Sequence, residues 1–439
     1  MSPITIRMLA SALTLVAPIA TAEEPAIRDK SAWVLHNITR SPDRQEGEPV
    51  VVIDPTSPRH AFVALVEGPR VGERLLAYRT SDGGKTWVAA VLSTDKNGGL
   101  GGGNPALAAD GRGNFFLAYL THEKNQAVSA RILHSRDHGE TWREIWARRG
   151  AFLDQPSLTV STPDAKGQSA LWLVGGGSDG VRAFTADLSD DGSIEAMQEV
   201  PITLEGKRVS GDVKGGEIID NQVKVAAEGR EAAWIICQRC VFGADKQARP
   251  EKLRLLKISK IDGKWGAAAP AEIMPLGQQA AFSHTQLLKV ADLLLVLAPQ
   301  DKSLDLRIST DGGITWGEAK KLFPAPVLYL AATIDAGTSL LWASYLTVEA
   351  SPVPALKQHV LRHDLKSGKS ETFGPLEPKA RLFPTALPIN RVFGDYAGIS
   401  AAGDKVIATF SSNCPEIAGV KNPSAAGDVG VAVFDFGGK

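Results

Sequence analysis

Polar side chains stand directly before short apolar runs at intervals along this chain, and their types could do chemistry. Two carboxyl groups on either side of a glycosidic bond are what glycoside hydrolysis requires, and a tyrosine can act as a nucleophile. We therefore take four residues as catalytic candidates: Glu48, Asp154, Asp395 and Tyr396. Five others at or near the same places are candidates for ligand binding: Asn104, Gln155, Asp212, His284 and Arg391.

Two other interpretations of these polar residues stay open. They could form a carbohydrate- or peptide-binding surface without catalysis, or they could only cap the ends of strands and bind water. Gly394-Asp395-Tyr396-Ala397-Gly398 is the most unusual of the segments and the best single candidate for a site.

The elements that must position these residues are marked by an eight-residue pattern, S/T-x-D-x-G-x-T-W. It occurs in full at residues 80–87, 135–142 and 309–316, each time after a short apolar run. Asp-x-Gly between two strand-like runs predicts a tight hairpin, in which the aspartate accepts backbone hydrogen bonds and the glycine supplies a positive φ. Thr then resumes the strand, and Trp is large enough to pack between neighbouring sheets. We therefore assign a structural role to Asp82, Trp87, Asp137, Trp142, Asp311 and Trp316.

The spacing of the pattern predicts the number of repeats. The first two copies are 55 residues apart, and the next interval of 174 residues is three steps of 58. Eroded copies fall near the expected places, at residues 189–193, 259–265 and 362–369. Repeats of this length that hold several strands predict an all-β propeller. Seven blades account for the chain, whereas six would need about 70 residues each, against the observed step.

The chain ends predict how the ring closes. The last repeat has room for three strands, the third at about Val429–Phe436, while residues 32–38 form a strand without a blade of its own. Pairing of this N-terminal strand with the last blade would remove two exposed sheet edges. We expect one propeller domain over residues 23–439.

The S/T-x-D-x-G-x-T-W pattern is the Asp-box, or BNR repeat, and the chain resembles the sialidase (neuraminidase) superfamily, in particular its exported bacterial BNR-repeat proteins. The resemblance implies that inner strands begin at one mouth of a central channel, where ligands bind, and that Asp-box hairpins lie on the opposite face. It is specific for the fold and not for the activity, because Asp-boxes also occur in other glycosidases, in lyases and in non-catalytic propellers.

The sialidase resemblance is incomplete at the site itself. Sialidases hold the substrate carboxylate with three arginines, the first of them in an Arg-Ile-Pro motif that opens the first blade. Here that place reads Glu48-Pro49-Val50, and neither Arg40 nor Arg44 lies in such a motif. Tyr329 and Tyr396 are the two tyrosines at blade openings. We therefore expect weak or absent sialidase activity, and a neutral or cationic sugar as the ligand that suits Glu48, Asp154 and Asp395.

Two long connections, residues 238–252 and 412–428, are predicted as loops over the same face. Cys237, Cys240 and Cys414 lie in or beside them, and two of the three are expected to pair in an oxidising compartment. Cys237-Gln238-Arg239-Cys240 lacks the βαβ context of a redox site and the second ligand pair of a zinc site, so no metal or cofactor is expected.

The first 22 residues predict a secretory signal peptide, with Arg7, an apolar core and the small-residue site Ala20-Thr21-Ala22. The protein should then be exported to a periplasm or the cell exterior, without a membrane span. A formal net charge of −1 implies no attraction to nucleic acid. We expect a monomer that binds or processes a glycan at the channel mouth; the alternative is a non-catalytic propeller that binds a protein or assists assembly at the cell envelope.

Overall fold

The computed structural model contains almost only antiparallel sheet. It describes a set of ranges separated by gaps: residues 27–28, 32–39, 46–68, 74–92, 102–122, 128–151, 153–177, 180–202, 204, 218–245, 248–278, 284–335, 337–349, 355–377, 381–382, 396–412 and 427–437. The predicted signal peptide lies outside these ranges. No helix in the described ranges is long and apolar enough to cross a membrane.

Seven separate sheets are arranged as the blades of a propeller, which confirms the predicted number. Blades 1 to 3 each have four strands, which run from the inside outwards in blade 1 (β3 Glu46–Ile53, β4 Ala61–Glu67, β5 Arg74–Thr80, β6 Val88–Ala89), blade 2 (β7 Gly103–Ala109, β8 Phe115–His122, β9 Val128–Ser135, β10 Arg143–Arg149) and blade 3 (β11 Asp154–Val160, β12 Ser169–Gly177, β13 Gly180–Leu188, β14 Gln198–Val200).

Blades 4 to 6 follow the same inside-to-outside order, with extra strands in two of them. They are blade 4 (β15 Ile218–Glu228, β16 Ala232–Phe242, β17 Ala248–Ile261, β18 Lys264–Ala267, β19 Ala271–Pro275), blade 5 (β20 Gln286–Val290, β21 Leu293–Gln300, β22 Ser303–Ser309, β23 Lys320–Phe323) and blade 6 (β24 Leu328–Asp335, β25 Leu340–Glu349, β26 Ala355–Asp364, β27 Ser370–Phe373, β28 Arg381–Leu382). The short strand β1 Ile27–Arg28 pairs in parallel with β27 on the rim of blade 6.

Blade 7 joins the two ends of the chain and closes the ring, as predicted. Three of its strands come from the C-terminal part: β29 Gly398–Ala402, β30 Lys405–Ser412 and β31 Asp428–Asp435. The fourth is β2 Trp33–Asn37, whose antiparallel register sets Trp33 opposite Phe434 and Asn37 opposite Gly430. Asn37 also donates a hydrogen bond from Nδ2 to Asp428 Oδ2 at 2.6 Å.

The three S/T-x-D-x-G-x-T-W segments are turns between the third and fourth strands of blades 1, 2 and 5. In the second turn, Asp137 Oδ1 accepts hydrogen bonds from Ser135 Oγ at 2.7 Å and from the backbone N–H of Thr141 at 2.9 Å, and its Oδ2 accepts one from Thr141 Oγ1 at 2.6 Å. Asp82 and Asp311 accept the equivalent bonds in their own turns. The eroded copies occupy the same third-to-fourth-strand position in blades 3, 4 and 6.

Each of these turns packs the glycine of its Asp-x-Gly sequence against the core of the preceding blade. A Cβ added at Gly139 would lie 2.5 Å from Phe62 Cδ2 in blade 1, and one at Gly313 would lie 2.4 Å from Leu255 Cδ2 in blade 4. The turn tryptophan follows the same direction: the Trp142 ring lies 4.7 Å from the Phe62 ring. The turns therefore connect neighbouring blades. Trp142 packs between two sheets, as expected for the tryptophan of the pattern.

One predicted loop is a pair of strands. Residues 238–242 belong to β16 and residues 248–252 to β17, so the long connection predicted at 238–252 is wrong. Cys237 and Cys240 lie three residues apart on β16, which directs them to opposite faces of the sheet. Both thiols are buried and do not pair with each other, so a Cys237–Cys240 disulfide, one of the pairings left open above, is excluded. Cys414 and most of the second predicted loop lie outside the described ranges.

Two buried histidines should make the fold sensitive to mild acid. His134 Nε2 lies 2.9 Å from Asn114 Oδ1, and His363 Nδ1 lies 2.8 Å from Ser370 Oγ. Burial lowers the pKa of each to about 4, so both rings stay neutral in the folded protein. Below pH 6.5 the unfolded chain binds protons that the folded chain does not, so stability is lost as pH falls.

We expect the free energy of unfolding to fall by about 2 kcal/mol per histidine between pH 7 and pH 5. Urea unfolding at the two pH values measures it. The variant His134→Gln with His363→Gln should lose the part of the pH dependence that these two rings cause, while the part due to the third buried ring, His284, remains. An unchanged dependence in that variant would show that other groups cause it.

Candidate functional site

All seven inner strands begin at the same mouth of the channel, and each opens in the same way. In five of them the register with the second strand shifts at the start: between Gly47 and Val50, Gly103 and Ala106, Asp154 and Ser157, Asn221 and Lys224, and Leu328 and Ala331. Such a shift is a β-bulge, which re-aims a side chain and is common near functional sites. Pro follows the bulged residue in three blades, and Pro cannot donate to a ladder.

The bulged residue of each of these five strands has a left-handed backbone although none is glycine. The φ values are 55° for Glu48, 55° for Asn104, 49° for Gln155, 49° for Gln222 and 51° for Tyr329. Left-handed non-glycine residues cost about 1–3 kcal/mol each and cluster at functional sites. The same strain is therefore repeated at the opening of five inner strands, and one of the five residues, Gln155, lines the channel cavity.

The two remaining blades supply side chains at the equivalent position. His284 and Tyr396 lie two residues before Gln286 and Gly398, the first regularly paired residues of β20 and β29. One residue per blade thus surrounds the entrance. We call this set the mouth ring: Glu48, Asn104, Gln155, Gln222, His284, Tyr329 and Tyr396.

Side chains of the mouth ring reach between blades. Glu48 Oε2 accepts a hydrogen bond from the backbone N–H of Asn104 at 3.2 Å. Tyr396 donates from its hydroxyl to the carbonyl of Pro105 in blade 2 at 3.1 Å, while its ring lies 5.8 Å from the ring of His284 in blade 5. Tyr396 therefore extends across the entrance from blade 7.

Beneath the ring is a cavity of about 380 Å³ whose wall includes residues from all seven inner strands. Its described lining is mostly small or apolar, with Lys224 and Lys289 as its cations and no arginine. Gln286 is held in the wall by two hydrogen bonds from Nε2, to the carbonyls of His284 and Leu330, both at 2.9 Å.

Two basic groups, Lys224 and His284, determine the electrostatics of the cavity. Burial disfavours the charged form of each. Burial lowers the pKa of Lys224 to about 8. Burial, and then the positive charge of Lys224, hold the pKa of His284 well below its ordinary value. At neutral pH the site therefore contains an ammonium group beside a neutral imidazole. His284 Nδ1 and Asn104 Oδ1 are buried atoms with no hydrogen-bond partner in the described part of the chain.

The structure brings together five of the nine predicted site residues: Glu48, Asn104, Gln155, His284 and Tyr396. Asp154, another candidate, lies on β11 directly before Gln155 and pairs across from Gly176. Asp212, Arg391 and Asp395 lie outside the described ranges. Lys224, Gln222 and Tyr329 complete the observed site. Only Tyr329 stood out as a blade opening in the sequence; Gln222 precedes an apolar run as Gln155 does, but no Pro follows it.

The aspartates of the three turns are far from the mouth ring. They lie at the opposite face, because the third strand of a blade ends where its inner strand ends. Burial raises the pKa of Asp82, but hydrogen bonds from Thr86 and Thr80 outweigh it and lower that pKa to about 2. Hydrogen bonds from Thr315 lower the pKa of Asp311 to about 2 as well. These saturated, ionised carboxylates serve the turns, in line with the role assigned to them.

No family model and no curated protein matches this sequence. Solved structures do share its architecture. A protein of unknown function from Dyadobacter fermentans has a TM-score of 0.49 at 12% identity, covering 91% of this chain and 97% of its own. The α-L-arabinofuranosidase Arb93A of Fusarium graminearum has 0.46 at 11%, covering 93% and 98%. A Trypanosoma rangeli sialidase has 0.44 at 10%, covering 95% of this chain and 60% of its own.

The class that the sheets define is a seven-bladed β-propeller, with the mouth ring at one end of its channel. The similarities concern architecture alone. At such identities and TM-scores they carry no argument about the ligand, which has to come from the residues of the site.

Proposed function

We propose that this protein binds a glycan at the mouth ring. The observation that carries the proposal is the ring at the blade openings, of which Gln155, His284 and Tyr396 line a cavity of about 380 Å³. Amide, imidazole and phenol groups bind sugar hydroxyls, and tyrosine faces can stack on sugar rings. Five of these residues hold a left-handed backbone that nothing in the blade architecture requires of a non-glycine residue.

Hydrolysis of sialosides is not part of this proposal. A sialic acid carboxylate is best held by planar guanidinium groups that bind it with two hydrogen bonds. The described cavity wall contains no arginine, and Glu48 occupies the place of the first one expected in a sialidase. Tyr396 already donates its hydroxyl hydrogen to Pro105. We also propose, from residues 1–22, that the protein acts after export, in a periplasm or outside the cell.

The test uses Gln155→Gly, which removes one ring side chain and relaxes the left-handed backbone at the same time. The labelled full chain is applied to a glycan array. We expect binding to at least one glycan class, at least a tenfold loss of affinity in Gln155→Gly, and a melting temperature no lower than that of the wild type.

The matched control is Asp262→Gly, because Asp262 is another left-handed residue (φ 50°) and lies in the β17–β18 turn at the opposite face. It should leave glycan binding unchanged. The same preparation should not hydrolyse a fluorogenic sialoside. Absence of any glycan binding, or equal effects of the two variants, would contradict the proposal and favour the protein-binding alternative. Robust sialoside turnover that Tyr396→Phe abolishes would restore a sialidase.

A further inference from the structure

Lys224 is the one charged residue in the layer of the channel directly below the mouth ring. We define this layer as seven residues, one from each inner strand: the first residue that pairs in regular register with the second strand of the blade. The other six members are neutral: Val50, Ala106, Ser157, Gln286, Ala331 and Gly398. A single ammonium group thus faces the cavity among small, apolar or already hydrogen-bonded neighbours.

The ammonium of Lys224 has no carboxylate partner in the described ranges, and burial lowers its pKa to about 8. Lys289, the other lysine of the cavity wall, is different: its Nζ lies 3.1 Å from Glu228 Oε2 and donates to the carbonyl of Ala291 at 2.5 Å. Buried charges in proteins are ordinarily paired, since an unpaired one costs several kcal/mol. Lys289 follows that rule, whereas Lys224, which is half-buried, has no such partner in the described ranges.

A group suited to sugar hydroxyls lies in the same cavity wall as Lys224. The neutral imidazole of His284 presents Nδ1, which is buried and without a partner in the described part of the chain. The charged and titratable groups that share this cavity wall with Lys224 are His284 before β20, Lys289 on β20 and Tyr396 before β29. Asp220 pairs with Arg254 at 2.7 Å.

We propose that Lys224 binds the carboxylate of an acidic sugar residue in the cavity, while His284 binds one of its hydroxyl groups. This rests on the proposed glycan-binding function and names its ligand class. A volume of about 380 Å³ is near the lower end of small-molecule sites, which span about 300–1,000 Å³, and suits one or two sugar residues. The inference reverses the preference for a neutral or cationic sugar, because the sequence did not reveal that Lys224 faces the channel.

The test compares tetragalacturonate with its fully methyl-esterified form, which has the same rings without the charge. Titration calorimetry with the full chain should give at least tenfold tighter binding of the acid. Lys224→Met should abolish that difference, while Lys289→Met should keep it. Lys224→Met should also melt at a higher temperature than the wild type without ligand, since it removes a half-buried, desolvated charge.

A pH series on the wild type supplies a second measurement that needs no variant. The carboxylates stay ionised from pH 6 to 10, so only Lys224 changes charge among the groups that bind them. Affinity for the acid should be constant below pH 8 and fall above it, whereas affinity for the ester should not follow this profile. In the same series Lys224→Met should bind the acid weakly at every pH.

The outcomes separate this inference from the function on which it rests. If acid and ester bind equally, and Gln155→Gly weakens both while Lys224→Met weakens neither, the carboxylate inference is wrong and glycan binding stands. If the array and the calorimetry detect no glycan at all, both are wrong. A tenfold preference for the acid that persists in Lys224→Met would also overturn the role of Lys224.

Discussion

Gly139→Ala should lower the free energy of unfolding by about 3–5 kcal/mol, the larger part from overpacking and the rest from a left-handed alanine. Gly139 has a φ of 88°, and its added Cβ would lie 2.5 Å from Phe62 Cδ2 and 2.9 Å from Cε2. Phe62 is fully buried and packed against Phe115 and Trp142, so it has little room to move. Urea unfolding at pH 7 measures the loss.

The matched control is Gly263→Ala in the eroded turn of blade 4. Gly263 has a similar φ of 75°, but an added Cβ there would meet nothing within 4 Å. The substitution should cost only about 1 kcal/mol, which comes from the backbone conformation alone. Equal losses in the two variants would show that the contact between blades 1 and 2 contributes nothing, and that the turn glycines matter only for φ.

Arg254→Met is expected to destabilise the fold by a similar amount, because it leaves the buried charge of Asp220 without its partner. Arg254 Nη2 lies 2.7 Å from Asp220 Oδ2, and the two side chains are 5% and 0% exposed. Removing one partner of a buried ion pair costs about 3–5 kcal/mol, since the other charge loses both water and its counter-ion. Thermal and urea unfolding of the variant at pH 7 measure this loss.

Two comparisons test the reason for that loss. The double variant Asp220→Leu with Arg254→Met removes both charges and should be more stable than Arg254→Met alone. Arg112→Met breaks an ion pair of similar length, 2.6 Å to Asp190, in which the two side chains are 38% and 97% exposed. It should change stability by less than about 1 kcal/mol. A double variant less stable than the single one would mean that Asp220 is satisfied without Arg254.

The sequence predicted the blades because their turns are built from local chemistry. Asp137 hydrogen-bonds to Ser135 and Thr141 within a segment of seven residues. Because all the partners are close in sequence, the pattern can be recognised from the sequence alone. The mouth ring could be found only where a second local signal marked it. Pro49, Pro105 and Pro156 mark three of its members, and Gln222 has no such signal.

Lys224 could not be predicted because its direction depends on a bulge. Side chains alternate across a strand, so one extra residue at Gln222 turns every later residue of β15 to the other face. The misplaced loop at 238–252 has a different reason. Its charged residues pair across strands: Arg239 Nε lies 3.2 Å from Glu251 Oε2, and Lys252 Nζ lies 2.5 Å from Glu272 Oε1. Ion pairing between neighbouring strands let a charged segment remain sheet.

The closure of blade 7 has a consequence for the order of folding. Asn37 and Asp428, which hydrogen-bond across that blade, are separated by 391 residues. The strand β2 leaves the ribosome among the first segments and finds its partner only when β31 has been made. Loop-closure entropy grows slowly with length, so the final pairing is not prohibited, but contacts this distant in sequence form late. Until then β31 presents an open edge on which other chains could pair, and a chain interrupted before β31 cannot close its ring.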